Sequence, residues 1–138
     1  MKIGERIRTA RNNAGLSQLE VANRLGVSEA SIRLYELGKR TPKPEMIERI
    51  ADALDVEPQS LVEMKIESSR DALEMLFRLE DEFGAKPNDD GSLSFDAKAP
   101  GAKKLKDALK VWAKKQEELE SGKIAQAEYD EWKAKFQS

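Results

Sequence analysis

Two short helical segments separated by a glycine constrain the fold of this chain more than any other feature. Ser17 and Glu20 have the spacing of a capping box, in which each side chain satisfies a backbone N–H group at a helix start. Gly26 ends the first segment, because glycine adopts the left-handed conformation that turns the chain. Ser28 begins the second segment, and Pro42 prevents its continuation. Two helices joined by three or four residues cross steeply, which leaves one face of the second helix outward.

The apolar residues of the first sixty positions recur at helical spacing and predict one small core. In the second helix of the pair the inward positions are Val27, Ser31, Ile32 and Tyr35. The expected core residues are Ile3, Ile7, Leu16, Val21, Leu25, Ile32, Met46, Ile47, Ile50, Leu54, Val56 and Leu61.

Residues 3–62 resemble the phage repressor/Cro-like (XRE) helix-turn-helix domain. The matching motifs are Ile7-Arg8-x-x-Arg11, Gly15-Leu16-Ser17-Gln18-x-x-Val21-Ala22, Leu25-Gly26-Val27-Ser28, Ser31-Ile32-x-x-Tyr35-Glu36-x-Gly38-Lys39-Arg40-x-Pro42 and Ile50-Ala51-x-Ala53-Leu54-x-Val56. The resemblance implies an all-α fold whose first part is a lambda-repressor-like DNA-binding domain. Its five helices are expected at about 3–14, 17–25, 28–36, 43–54 and 58–63.

By this resemblance, the helix Ser28–Glu36 reads base pairs in the major groove of double-stranded DNA. Arg33 is the main candidate, because a guanidinium can donate to two acceptors of guanine at once. Glu29 could accept from the amino group of cytosine, while Ala30 and Leu34 offer apolar contact to a thymine methyl group. The alternatives are an ion pair between Arg33 and Glu29, a helix-start role for Glu29, and a partly covered surface position for Leu34.

Phosphate contacts are expected from polar groups beside the reading helix, since such contacts position a domain without reading sequence. The resemblance implies that Gln18 holds the helix pair against a phosphate, near the free backbone N–H groups of a helix start. A solvated surface is the alternative for each of these groups. The candidates are Arg8, Arg11, Gln18, Ser28, Lys39, Arg40, Thr41 and Lys43.

The charge distribution favours a specific DNA-binding protein. The 138 residues carry a net charge of −2, but residues 1–44 hold nine basic and four acidic side chains. A basic face with an acidic remainder is typical of a protein that binds DNA through one domain. The absence of cysteine and histidine excludes disulfides, His-based triads and nearly every zinc site, so we expect no enzyme activity, cofactor or metal. Neither a signal peptide nor a membrane span is evident, which favours the cytoplasm and no membrane partner.

Residues 65–138 are predicted to form a second, helical module after a domain of residues 1–64. Residues 70–83 carry more apolar side chains than an exposed helix needs, so this helix is expected to pack against another helix or chain. Residues 63–69 are expected to be a continuing or kinked helix. Asp90-Gly91 and the alternating residues 92–96 favour a short β-hairpin near residues 85–96. Helices at about 101–120 and 124–136 are expected to pair as a helical hairpin with Trp112 and Trp132 inward.

Three roles remain open for residues 65–138: pairing or stabilising the protein, docking another protein, or forming a pocket for a small ligand. For the whole chain the sequence favours a homodimeric, sequence-specific transcriptional regulator, with repression favoured over activation. The alternative is a DNA-tethered adaptor, such as an antitoxin or phage accessory protein, that recruits a protein partner through residues 65–138.

Overall fold

The computed structural model describes residues 1–137, which fold mostly into helices. In chain order the elements are α1 (Ile3–Asn13), α2 (Gln18–Leu25), α3 (Glu29–Glu36), α4 (Pro44–Leu54), a 3₁₀ helix (Pro58–Ser60), α5 (Ser69–Phe83), β1 (Ala85–Pro87), β2 (Leu93–Phe95), α6 (Ala102–Glu120) and α7 (Gln126–Lys135). Two compact units result, one of residues 1–64 and 122–137 and one of residues 65–121. None of these helices is long and apolar enough to cross a bilayer within the described chain.

The capping pattern that predicted α2 and α3 is confirmed. The Ser17 hydroxyl accepts from the Glu20 backbone N–H at 3.0 Å, and the Glu20 carboxylate accepts from the Ser17 N–H at 3.2 Å. Gly26 ends α2 with a φ of 69°. The Ser28 hydroxyl accepts from the Ser31 N–H at 3.2 Å and so starts α3. These local bonds set the two helix boundaries that create the turn.

The predicted core forms as one cluster in the first unit. All twelve expected residues belong to it, seven as fully buried members and five as partly buried residues packed against them. Ala22, Tyr35 and Ala51 are also buried there. Fully burying one large aliphatic side chain contributes about 1.5–3 kcal/mol. The cluster is therefore the main source of stability for the helix pair.

Gly4 allows α1 to approach the end of α3 more closely than any other residue would permit. A Cβ atom at Gly4 would lie 2.5 Å from the carbonyl oxygen of Tyr35 and 2.7 Å from that of Glu36. Because those atoms belong to the backbone, a side chain could not be accommodated by a simple rotation. This close approach fixes α3 against α1.

The fifth helix of the first unit is shorter than expected. Only Pro58–Ser60 is helical, as a single 3₁₀ turn, and residues 63–67 have no regular secondary structure. The expected continuing or kinked helix over residues 63–69 is therefore wrong. The reason is local: the Ser68 hydroxyl accepts from the Asp71 N–H at 3.1 Å and begins α5 afresh. The Asp71 carboxylate also accepts from the Glu67 N–H at 3.0 Å, a bond that lowers the pKa of Asp71.

The C-terminal helix α7 packs on the first unit, against α1 and the 3₁₀ helix. The Glu57 N–H donates to the Ala134 carbonyl at 2.8 Å, and the Lys135 ammonium lies 3.7 Å from the Asp55 carboxylate. The sequence predicts α7 in the module of residues 65–138, paired with α6. Since α6 and α7 belong to different compact units, the helical-hairpin prediction is wrong.

The second unit contains the predicted β-hairpin. β1 and β2 pair antiparallel, with Ala85 opposite Phe95 and Pro87 opposite Leu93. The Asn88 N–H donates to the Ser92 carbonyl at 2.8 Å and closes the turn, in which Gly91 has a φ of 84°. Trp112 on α6 is 41% exposed, so the expected inward position of this tryptophan is also wrong.

Burial of Tyr129 predicts that α7 stabilises the first unit. This side chain is 6% exposed, and large-to-alanine changes at buried aromatic residues cost about 3–5 kcal/mol. We expect Tyr129→Ala to lower the free energy of unfolding by about 3 kcal/mol in urea titrations followed by circular dichroism. The control is Gln126→Ala on the exposed side of α7, expected to change it by less than about 0.5 kcal/mol. Equal effects of the two changes would contradict a stabilising role for α7.

Candidate nucleic-acid interface

Helix α3 is held by its inner face and leaves its outer face uncovered. Ile32 is 0% and Tyr35 6% exposed, so these two side chains fix the rotation of the helix. Glu29, Ala30 and Arg33 point outward and are exposed, whereas Leu34 is half-buried. The four side chains predicted to read bases are thus on one short helix, and three of them are exposed.

The alternative pairing of Arg33 with Glu29 is not formed in the described chain. Neither side chain makes a hydrogen bond or an ion pair within residues 1–137. Glu29 is in the first turn of α3, where the helix dipole favours a carboxylate. The donors of the Arg33 guanidinium therefore remain available to an external acceptor.

The loop after α3 carries its basic residues on a backbone that is tied to the helix. Gly38 has a φ of 73°, and the N–H groups of Lys39 and Arg40 both donate to the Leu34 carbonyl, at 3.0 and 3.3 Å. The Arg40 guanidinium lies 5.7 Å from the centroid of the Tyr35 ring. This arrangement, in which the helix end is capped by the turn, positions exposed cations next to the outer face of α3.

Six of the predicted phosphate-contacting residues have exposed side chains beside α3 or on α1. Ser28 bonds within the cap, where its hydroxyl lies 2.9 Å from that of Ser31. Arg40 lies over the Tyr35 ring. Within residues 1–137 the other four, Arg8, Lys39, Thr41 and Lys43, make no side-chain hydrogen bond. They are free to contact an anion.

Arg11 and Gln18 are placed differently from the other predicted phosphate contacts. The Arg11 guanidinium donates from Nε and Nη2 to the two oxygens of Glu36, at 2.6 and 3.0 Å, and from Nη1 to the Leu16 carbonyl at 2.8 Å. The Gln18 amide donates to the same Glu36 carboxylate at 3.2 Å. The Arg11 side chain is only 12% exposed. The structure thus directs both groups inward, toward the end of α3.

Glu36 is the residue that the sequence analysis missed. Its side chain is 3% exposed, and a buried carboxylate is tolerated only when it is paired and hydrogen-bonded. Hydrogen bonding to the Glu36 carboxylate raises the pKa of Arg11, so the guanidinium stays charged. The signal was present in the sequence, because Glu36 follows Ile32 by four positions and shares its inner face.

The described residues contain no group of three or more His, Cys, Asp or Glu side chains arranged to hold a metal ion. The chemistry of this surface is that of exposed cations, one exposed carboxylate and apolar contacts on a helix. Such a surface suits contacts to an anionic partner.

Breaking the Arg11–Glu36 pair is expected to destabilise the first unit strongly. Removing one partner of a buried ion pair costs about 3–5 kcal/mol, because the other charge remains buried. We predict that Arg11→Met lowers the free energy of unfolding by about 3 kcal/mol, and that Arg11→Met/Glu36→Met together cost less than the sum of the single changes. Urea titration of the four proteins measures this coupling. Strict additivity would show that the two side chains do not interact.

Comparison with known proteins agrees with this geometry. A family model described as a helix-turn-helix domain matches residues 2–64. The chain is also similar to the cryptic phage CTXphi transcriptional repressor RstR of Vibrio cholerae serotype O1, with 38% identity over 56 residues, 41% of this chain and 50% of that protein. The chain therefore spans about half the length of the curated relative it matches. Residues 2–64 thus form a helix-turn-helix domain that resembles those of the phage repressor/Cro-like (XRE) type.

Proposed function

We propose that this protein is a sequence-specific transcriptional regulator that places α3 in the major groove of double-stranded DNA. The observation that carries the proposal is the outer face of α3, where Glu29, Ala30 and Arg33 are exposed while Ile32 and Tyr35 anchor the helix from behind. An α-helix fits the width of the major groove, and side chains on its outer face can reach base edges. The family match of residues 2–64 supports this use of the helix pair.

Each residue on the outer face has a distinct role in the proposal. Arg33 donates two hydrogen bonds to guanine, and its lack of an internal partner leaves both donors available. Glu29 accepts from a cytosine amino group. Ala30 and the half-buried Leu34 contact thymine methyl groups.

The surrounding polar residues position the domain on the phosphates. Lys39, Arg40, Thr41 and Lys43 follow α3, while Arg8 and Ser28 lie on α1 and at the start of α3; all six are exposed. Arg11 and Gln18 act through Glu36, holding α1 and the start of α2 against the end of α3. Because phosphate contacts are independent of base sequence, the six exposed residues contribute affinity and orientation on DNA, not base preference.

Regulation by a single α3 would be weakly selective, since one such helix reads only a few base pairs. A homodimer that binds two half-sites gives the selectivity that regulation needs. The relative with 38% identity is described as a transcriptional repressor, which favours repression over activation here.

A DNA-tethered adaptor is the second candidate function. The observation in its favour is the exposed apolar surface of the second unit, which includes Leu73, Leu76 and Phe77 on α5. In that case the first unit binds DNA weakly and the second unit recruits a different protein.

Selection of duplexes from a random pool by the full chain separates these functions. A dimeric regulator is expected to enrich an inverted repeat with half-site centres about 10 base pairs, or a multiple of one helical turn, apart. Enrichment of no sequence by the purified chain would count against the regulator and favour the adaptor.

Two alanine variants test the division between base reading and phosphate contact. Arg33→Ala is expected to relax base preference at one position and to cost about 1–3 kcal/mol on the selected site, with little effect on random DNA. Lys39→Ala is expected to weaken binding to all sequences alike and to lower the slope of log affinity against log salt by about one. Fluorescence anisotropy at several salt concentrations measures both. If Arg33→Ala caused equal losses on selected and random DNA, Arg33 would not be a base-reading residue.

A further inference from the structure

The second unit leaves most of its large apolar side chains uncovered. Its fully buried hydrophobic residues are Ala85 and Ala102, and α5 has no buried residue. A unit of this size without a core gains too little from burial to offset its chain entropy. The exposed large apolar side chains of this unit are Ile66, Leu73, Met75, Leu76, Phe77, Leu93, Val111 and Trp112.

One face of α5 combines apolar residues with one charge at each end. Arg70, Leu73, Leu76, Phe77 and Glu80 fall within about 120° of the helix circumference, and we call this face the α5 stripe. All five side chains are exposed. The Arg70 guanidinium lies 5.6 Å from the centroid of the Phe77 ring, which places the cation at the edge of the apolar residues. It also lies 3.1 Å from the Glu74 carboxylate on the same helix, in an exposed ion pair that leaves other guanidinium N–H groups for a second carboxylate. Glu80 makes no ion pair within the described chain.

We propose that the α5 stripe is covered by the α5 stripe of a second copy of this chain, with the two helices antiparallel. With the twofold axis crossing the stripe at the level of residue 75, Leu73 of each copy lies opposite Phe77 of the other, and Arg70 lies opposite Glu80. Arg70 and Glu80 are about 15 Å apart along one helix, so the two ion pairs close the two ends of the apolar contact. Such an interface is isologous, as a twofold dimer requires.

The order of charges along the stripe selects a second copy and the antiparallel direction. The stripe has its cation, Arg70, at the N-terminal end and its anion, Glu80, at the C-terminal end. When two copies lie antiparallel, the cation of each copy therefore faces the anion of the other. A parallel pair would place Glu80 beside Glu80 and Arg70 beside Arg70, which is unfavourable. The α5 stripe would thus be the surface that pairs the subunits of the proposed regulator. The need for a dimer rests on that proposed function.

Charge reversal on the full chain, without DNA, tests the pairing. We expect sedimentation equilibrium at low salt to show a dimer, and Arg70→Glu or Glu80→Arg to weaken it about tenfold or more, because each creates two like-charge contacts. The double variant Arg70→Glu/Glu80→Arg restores opposite charges and is expected to return most of the affinity. The control is Arg78→Glu, since Arg78 also lies 3.5 Å from Glu74 but is outside the stripe.

Cysteine cross-linking tests the direction, and the natural chain contains no cysteine to interfere. An oxidised mixture of Arg70→Cys and Glu80→Cys chains is expected to give mixed disulfide dimers, and so is a mixture of Leu73→Cys and Phe77→Cys chains, because these positions lie opposite each other. A monomeric wild-type chain, a double variant no better than the single ones, or Arg70→Cys chains that join only to each other would overturn the proposal. Duplex selection is a separate measurement, so intact pairing with failed selection would remove the DNA function and leave the interface.

Discussion

The buried pair of Arg11 and Glu36 is the interaction on which the geometry of the first unit depends. The Glu36 carboxylate accepts hydrogen bonds from Arg11 on α1 and from Gln18, the first residue of α2. Glu36 is itself the last residue of α3. The Arg11 guanidinium also donates to the Leu16 carbonyl, which lies in the turn between α1 and α2. A single network therefore joins three helices at the point where their relative angle decides which face of α3 is outward. Apolar residues in place of both Arg11 and Glu36 could stabilise the unit equally well, but they would lack the directional hydrogen bonds that orient the three helices.

Gly4 and the Arg11–Glu36 pair act together at this point. The missing side chain at Gly4 lets the α1 backbone come against the carbonyl groups of Tyr35 and Glu36. At that separation the Arg11 side chain, two helical turns later on α1, reaches the Glu36 carboxylate. A larger residue at position 4 would move α1 away and lengthen the charged hydrogen bonds. The close approach and the ion pair are thus two parts of one constraint on α3.

Much of the first unit could be predicted from the sequence, because its signals are local. Ser17 with Glu20 and Ser28 with Ser31 set helix starts through bonds over three residues, and Gly26 sets a helix end through its own φ. Helical spacing was sufficient to identify the core, since an amphipathic helix has one face that can be buried. The exposed face of α3 follows from the same periodicity. The roles of its side chains toward DNA stay predictions, since they depend on a partner.

The features that could not be predicted depend on contacts between distant residues. Arg11 and Gln18 looked like surface groups, because the burial of Glu36 depends on where α1 and α2 are placed. The position of α7 could not be derived from its own pattern. Its apolar residues require a partner surface, and both α6 and α1 offer one by periodicity. The bond from the Glu57 N–H to the Ala134 carbonyl joins residues far apart in the chain and has no local signal.

Because α7 belongs to the first unit, the chain passes between the two units twice. It leaves the first unit after residue 64 and returns to it at residue 122. In the dimer proposed above, each reading helix is therefore connected to the α5 stripe by two segments of chain, not by one. The spacing between half-sites is then expected to depend on both segments, so that α7 contributes to it together with the surface that pairs the subunits.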